Sequence, residues 1–152
     1  MANGVSHLAG KLRAAVDHAV PALRRITPVE AAAKPSPGKW ARKEVLGHLI
    51  DSAANNHQRI VRAALAGDLR FPGYEQDGWV QSQDYAGADW NGLIDLWRSL
   101  NLHLAHVIAR VPDGRLGASL RIAEHEPMTL AALIEDYLRH LEHHLAQLGA
   151  VG

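Results

Sequence analysis

The connection between two helical stretches decides the fold of this chain, and it reads Gly67-DLRFPGYEQDGWVQSQDYAG-Ala88. These 22 residues have no clear periodicity and are too many for a tight turn between neighbouring antiparallel helices. A connection of this length can cross a bundle and leave the helices on either side of it parallel. Its aromatic residues predict that it packs on the bundle instead of extending into solvent; they are Phe71, Tyr74, Trp79 and Tyr85.

Two helical segments precede this connection and two follow it. They are predicted to be helical because apolar residues recur in them at spacings of three and four. They are predicted at residues 6–25, at residues 41–66 after Trp40, at residues 89–110, and from the N-cap Thr129 to Leu148. No sustained alternation typical of a strand is present. The sequence therefore predicts an all-α protein, a four-helix bundle that forms a single domain over residues 1–152.

Composition excludes several classes of function. Sixteen basic and sixteen acidic residues cancel without forming blocks, so the positive patch of a nucleic-acid-binding protein is not expected. The 152 residues include no cysteine, which excludes disulfides, thiolate ligands and a cysteine nucleophile. No stretch approaches the apolar length of a membrane span, and the N-terminus does not resemble a secretion signal. We expect a soluble, cytoplasmic protein without a membrane or nucleic-acid partner.

A histidine cluster lies in the last helix, within Asp136-YLRHLEHHLAQ-Leu148. His140 and His144 have the i, i+4 spacing that lets two imidazoles meet one ion, whereas His143 points away from them. Asp136, one turn before His140, is placed to orient that ring. Two interpretations remain open at this point: a metal-binding pair, or a hydrogen-bonded pair at the edge of the bundle.

A third ligand is not settled by periodicity. The apolar row of the second helix favours His57 as its buried histidine, while His48 belongs to a polar flank with Ser52, Asn55 and Arg59. A catalytic ion needs an accessible coordination position, which a flank offers. His48 lies early in its helix and the pair lies late in the last helix, so a shared ion requires those two helices to be antiparallel.

Two separated motifs resemble the DinB/YfiT-like superfamily: Lys39-WARKEVLGHLIDS-Ala53 followed by Asn55-NHQ-Arg59, and Tyr137-LRHLEHHLA-Gln147. The resemblance extends through Tyr74-EQDG-Trp79 in the long connection. It implies up-down-down-up connectivity with a crossover between helices two and three. It also implies a divalent ion, zinc or nickel, held by His48, His140 and His144.

The resemblance leaves the reaction open, since the family includes metal-dependent hydrolases and thiol-dependent transferases. We expect a metal-dependent enzyme for a small-molecule substrate, either a hydrolase or a transferase that uses a low-molecular-weight thiol as cofactor. Asp51 and Glu44, near His48 in sequence, are candidate catalytic carboxylates. Homodimers are also implied by the family.

The alternative is a non-catalytic bundle, linked to stress, that binds a metal or another small ligand. Arg59 and Arg62 could bind an anionic substrate, but surface salt bridges are the favoured interpretation for both.

Overall fold

The computed structural model describes residues 3–150 and is mainly helical. Four long helices form its body: α1 (Ser6–Arg25), α3 (Arg42–Ala66), α5 (Trp90–Ile108) and α6 (Leu130–Gln147). The shorter elements are α2 (Pro28–Ala32), α4 (Gln76–Ser82), β1 (Leu69–Phe71), β2 (Ser119–Ile122) and β3 (Met128–Thr129). All four predicted helices are therefore present, with bounds within two residues of those expected.

Local sequence explains where the long helices begin and end. The hydroxyl of Thr129 accepts a hydrogen bond from the backbone N–H of Ala132 (3.0 Å), which confirms this residue as the N-cap of α6. Asp89 caps α5 in the same way, so that helix starts one residue later than predicted. Gly67 ends α3 with a φ of 89°, a conformation that glycine adopts without steric penalty.

The all-α prediction is wrong in one respect, because a small three-stranded sheet in the order β1-β2-β3 is present. β1 pairs in parallel with β2, with Leu69 opposite Leu120, and β2 pairs antiparallel with β3. Each strand has two to four residues, too few for alternation to stand out in sequence. Strand pairing across about fifty residues leaves no local signal either.

The connection from Gly67 to Ala88 packs on the bundle, as its aromatic content predicted. It contains β1, α4 and a single 3₁₀ turn at Tyr85–Gly87. Val80 is 1% exposed and Tyr85 is 5% exposed, and the ring of Tyr85 contacts α3. This segment therefore packs against α3 at Gly47, the residue that precedes His48.

The core lies between the four long helices. Just before α1, the side-chain amide of Asn3 donates two hydrogen bonds. One goes to the carbonyl of Ile108, the last residue of α5, and the other to the carbonyl of Val111, which follows that helix. At the other end of α1, Nε1 of Trp90 donates to the carbonyl of Leu23 (3.2 Å). Fully buried core side chains from all four helices include Leu12, Leu23, Leu46, Ile60, Ile94, Trp97, Leu104 and Leu141.

Within residues 3–150, no helix has both the length and the apolar content that crossing a bilayer requires.

Candidate metal centre

Three histidines from two helices converge at one end of the bundle. His48, in the second turn of α3, is 1% exposed, and its ring lies 5.1 Å from that of Trp40, measured between centroids. His140 and His144 lie one turn apart in α6 and are half-buried. The structure thus brings together the pair identified by spacing and the third histidine identified by the family resemblance.

The ring nitrogens of these histidines face one another. Nε2 of His140 lies 3.2 Å from Nε2 of His48 and 3.1 Å from Nε2 of His144. One ligand nitrogen from each residue falls within 4.8 Å of the others. In a neutral imidazole, Nε2 either donates one hydrogen or accepts one with its lone pair, but not both. Nε2 of His140 therefore cannot form good hydrogen bonds to His48 and His144 at the same time.

A divalent cation fits this arrangement, since it accepts a lone pair from each ring. Two nitrogens bound to one zinc ion at about 2.1 Å with tetrahedral geometry lie about 3.4 Å apart. The observed separations of 3.1 and 3.2 Å are close to that value. The donor set of three imidazoles suits zinc, nickel and other transition metals.

The protonation of the site also suits a cation. Burial, and then the neighbouring rings of His140 and His144, lower the pKa of His48 to about 4. Burial, followed by His144 and His143, lowers the pKa of His140 to about 4, while Asp136 acts in the opposite direction. Both rings are therefore neutral at pH 7, which is the state that binds metal.

A neighbouring amide fixes the third ring. Nδ1 of His144 lies 2.7 Å from Oε1 of Gln147 and donates a hydrogen bond to it, because an amide oxygen can only accept. The lone pair of His144 is then on Nε2, which faces the cluster. Outer partners of this kind orient metal-binding histidines.

The carboxylate of Asp51 is buried next to this end of α3. Its Oδ1 accepts hydrogen bonds from the hydroxyl of Tyr85 (2.7 Å) and from Nε2 of Gln83 (2.8 Å). Its Oδ2 is buried without a partner among residues 3–150, as is Nδ1 of His48. Burial raises the pKa of Asp51, although both hydrogen bonds act to lower it.

A glycine allows this arrangement. A Cβ added to Gly47 in α3 would lie 2.2 Å from Cδ2 of Tyr85, well inside contact distance. The absence of a side chain at Gly47 lets the Tyr85 ring pack closely against α3, where its hydroxyl donates a hydrogen bond to Asp51. Tyr85 and Gln83 were not predicted as site residues, because only the folded connection brings them to α3.

Glu44, the other candidate carboxylate, is engaged at the start of α3. Its Oε1 accepts a hydrogen bond from the backbone N–H of Ala41 (3.0 Å) and lies 3.5 Å from Nζ of Lys34. This is the position from which a glutamate caps the first turn of a helix.

The family model of the DinB superfamily matches residues 11–148, which is most of the chain. The chain belongs to the DinB superfamily. No curated protein sequence matches it significantly.

Two solved structures resemble this DinB superfamily member in fold. One is YfiT from Bacillus subtilis, described as a probable metal-dependent hydrolase with an unusual four-helix bundle topology. It is 20% identical to this chain and has a TM-score of 0.78. The match covers 93% of this chain and 83% of YfiT. The other is a histidine-to-alanine variant of the mycothiol-dependent maleylpyruvate isomerase, 14% identical with a TM-score of 0.79. That match covers 100% of this chain but only 65% of the isomerase.

Some expectations for individual residues of this DinB superfamily member are wrong. His57, which periodicity favoured as buried, is half-exposed and packs against His103, with ring centroids 5.3 Å apart. Asp136 pairs with Arg139 and, within residues 3–150, forms no hydrogen bond to His140. His143 is exposed, and its ring lies 5.2 Å from that of His144, measured between centroids.

Arg59 also departs from its expected role. It is 8% exposed, and none of the ion pairs found in residues 3–150 involves it. Arg62, by contrast, is exposed and donates a hydrogen bond to Oε1 of Gln58 (2.9 Å), although it too forms no ion pair in that range. The surface salt bridge predicted for each of them is absent from the described part of the chain.

Proposed function

We propose that this protein is a divalent-metal-dependent enzyme that acts on a small molecule, with His48, His140 and His144 holding the ion. The observation that carries the proposal is the convergence of three imidazole nitrogens, with separations of 3.1 and 3.2 Å at His140 Nε2. Zinc or nickel is the expected ion, because imidazole nitrogen suits both metals. The similarity in fold to YfiT and to the mycothiol-dependent isomerase supports a catalytic role.

The chain's own residues would divide the work as follows. Held by His48, His140 and His144, a divalent ion would supply Lewis acidity, which would lower the pKa of a water or thiol at the site. Gln147 orients His144 through Nδ1 and so keeps Nε2 available. Asp51 is our candidate proton acceptor. Tyr85 and Gln83 donate hydrogen bonds to its Oδ1, while its Oδ2 has no partner among residues 3–150. Burial also raises the pKa of the Asp51 carboxyl group.

Glu44 receives a different role in this proposal. Its carboxylate satisfies a backbone N–H that the first turn of α3 would otherwise leave without a partner. We therefore assign Glu44 to helix capping, and keep Asp51 as the catalytic carboxylate.

Two reactions are compatible with the proposed site. One is hydrolysis by an activated water, and the other is transfer to a low-molecular-weight thiol. Since the chain has no cysteine, any thiol would come from a small molecule. The similarity to YfiT supports the first reaction and the similarity to the isomerase supports the second.

The proposal includes the up-down-down-up connectivity, because a shared ion requires α3 and α6 to be antiparallel. Contacts at both ends of these helices support it. His48, near the start of α3, meets His140 and His144 near the end of α6. Beyond the end of α3, Leu69 pairs with Leu120, in the strand that leads through β3 into α6.

Metal analysis combined with a turnover screen tests the proposed function. Purified protein should retain about one zinc or nickel ion per chain after dialysis against a weak chelator. The loaded protein should then turn over an ester, an amide or a thiol acceptor, and chelation should abolish that turnover. Metal retained without any turnover would support a non-catalytic binding bundle, and protein that retains no metal would contradict the proposal.

A further inference from the structure

A buried polar stripe runs along α3 from the metal centre. His48, Ser52, Asn56 and Arg59 recur at spacings of four, four and three, which places them on one side of the helix. Their exposed fractions are 1%, 4%, 7% and 8%, so a helix face that is polar in sequence is buried in the structure. Buried polar groups are destabilising unless they have partners.

Arg59 is the member of this stripe whose charge is left uncompensated. Nδ2 of Asn56 donates a hydrogen bond to the carbonyl of Ser52 (2.8 Å), so this nitrogen has a partner within the helix. The guanidinium of Arg59 forms no ion pair with any carboxylate in residues 3–150. Burial lowers the pKa of Arg59, while the neighbouring Tyr74 acts in the opposite direction. A buried cation in this state favours an anion supplied from outside the chain.

A cleft connects Arg59 to the metal centre. It has a volume of about 670 Å³, within the usual range for small-molecule sites. Ser52, Asn56 and Arg59 line one side, and Tyr137 and His140 of α6 line the other. His140 is thus both a member of the histidine cluster and part of this wall.

The remaining charges in the cleft restrict which anion it can take. Arg59 is the only lysine or arginine among the described residues that line the cleft, so one negative charge is matched. Glu126 and Asp136 also line it, but both are exposed and Asp136 pairs with Arg139. Ionic screening weakens the effect of these exposed carboxylates more than that of the guanidinium of Arg59, which is 8% exposed. A dianion such as phosphate would keep one negative charge without a cationic partner, because Arg59 is the only lysine or arginine among the described lining residues.

We propose that Arg59 binds the carboxylate of a monoanionic organic molecule in this cleft, with the rest of the molecule extending toward His140. A guanidinium forms two parallel hydrogen bonds to a carboxylate, which fixes the orientation of the bound molecule. In its link to catalysis this inference rests on the proposed function, because it names the class of substrate that the histidine centre would act on. The binding itself requires no metal.

A probe pair tests the binding directly in the metal-free protein. Hexanoate and hexanamide have the same chain length and differ in charge, and the Nε–H resonance of Arg59 reports occupancy by NMR. We expect hexanoate to bind the wild type about tenfold more tightly than hexanamide, and to shift that resonance. The preference should persist in Arg62→Gln, which removes the same charge from an exposed site on the same helix, and vanish in Arg59→Gln.

Three results would overturn the inference. They are an unchanged preference for hexanoate in Arg59→Gln, no saturable shift with hexanoate in the wild type, and a larger response to inorganic phosphate than to hexanoate. Failure of the proposed function is distinguishable from these, since it would appear as a lack of metal retention while the Arg59-dependent preference for hexanoate remained.

A second variant separates ligand binding from a structural role. Arg59→Met removes an uncompensated buried charge and keeps a flexible apolar stem, so the thermal midpoint of the ligand-free protein should rise. Hexanoate should raise the midpoint of the wild type and leave that of Arg59→Met unchanged. A fall in the midpoint of Arg59→Met would mean that Arg59 stabilises the fold through the protein itself, and would contradict the inference.

Discussion

The Nε2 atoms of His48 and His140 lie 3.2 Å apart, although 92 residues separate the two histidines in sequence. The contact joins the start of α3 to the last turns of α6, and both rings have a pKa lowered to about 4. Two imidazoles held together in their neutral form are the basis of the metal centre that we propose. They also make the stability of the metal-free protein depend on pH.

The metal-free protein should become less stable as the pH falls from about 6.5 to about 4. Histidine in the unfolded chain has a pKa of about 6.5. In this window the unfolded state binds protons at His48 and His140 that the folded state does not, so the free energy of unfolding decreases with decreasing pH. Urea unfolding of chelator-treated protein at several pH values measures this dependence.

The double variant His48→Gln/His140→Gln is the control for that experiment. It is needed because the raised pKa of Asp51 increases the free energy of unfolding as the pH falls, which opposes the effect of the two histidines. The difference between wild type and double variant isolates the two histidines. A wild type that gained stability toward acid relative to the double variant would contradict the lowered pKa values.

Gly47→Ala should destabilise the protein by about 1–3 kcal/mol, because the new Cβ would overlap the ring of Tyr85 and force it away from α3. Gly10→Ala is the matched control: Gly10 also lies in a helix, but nothing lies within 4 Å of an added Cβ. That substitution should stabilise the protein by up to about 1 kcal/mol. Chemical unfolding of both variants gives the two values, and equal effects would show that Tyr85 does not pack on Gly47.

Asp51→Asn should leave the metal content unchanged and lower turnover of a substrate found by the screen by about 10²–10⁴-fold, the usual contribution of a general base. Glu44→Gln should retain metal, turnover and nearly all of the stability, because a glutamine oxygen at this position can accept the same hydrogen bond from the backbone N–H of Ala41. Metal analysis and steady-state kinetics on both proteins provide the comparison. If Glu44→Gln lost turnover and Asp51→Asn kept it, the two roles that we assign would have to be exchanged.

Sequence predicted the parts of this protein that depend on local periodicity. The four long helices and the cap at Thr129 follow from apolar spacing and capping residues, and the facing of His140 and His144 follows from their separation by one turn. The burial of His48 did not follow. Its polar flank reads as exposed in an isolated helix, and is buried only because the connection and α6 cover it.

Features that depend on distant pairing could not be predicted. Leu69 pairs with Leu120 through backbone atoms, which carry no side-chain signal in the sequence. Tyr85 reaches Asp51 only after the connection has folded back onto α3. Arginine is rarely buried without a partner, so general tendencies favoured a surface salt bridge for Arg59 over the buried position observed.

Metal content of single histidine variants tests the central claim most directly. His48→Ala, His140→Ala and His144→Ala should each lose most of the bound zinc or nickel after dialysis against a weak chelator, because two imidazoles hold an ion far less tightly than three. His143→Ala and His57→Ala should retain it, since neither belongs to the converging set in the structure. Loss of metal in His143→Ala together with retention in His140→Ala would contradict the assignment of this centre.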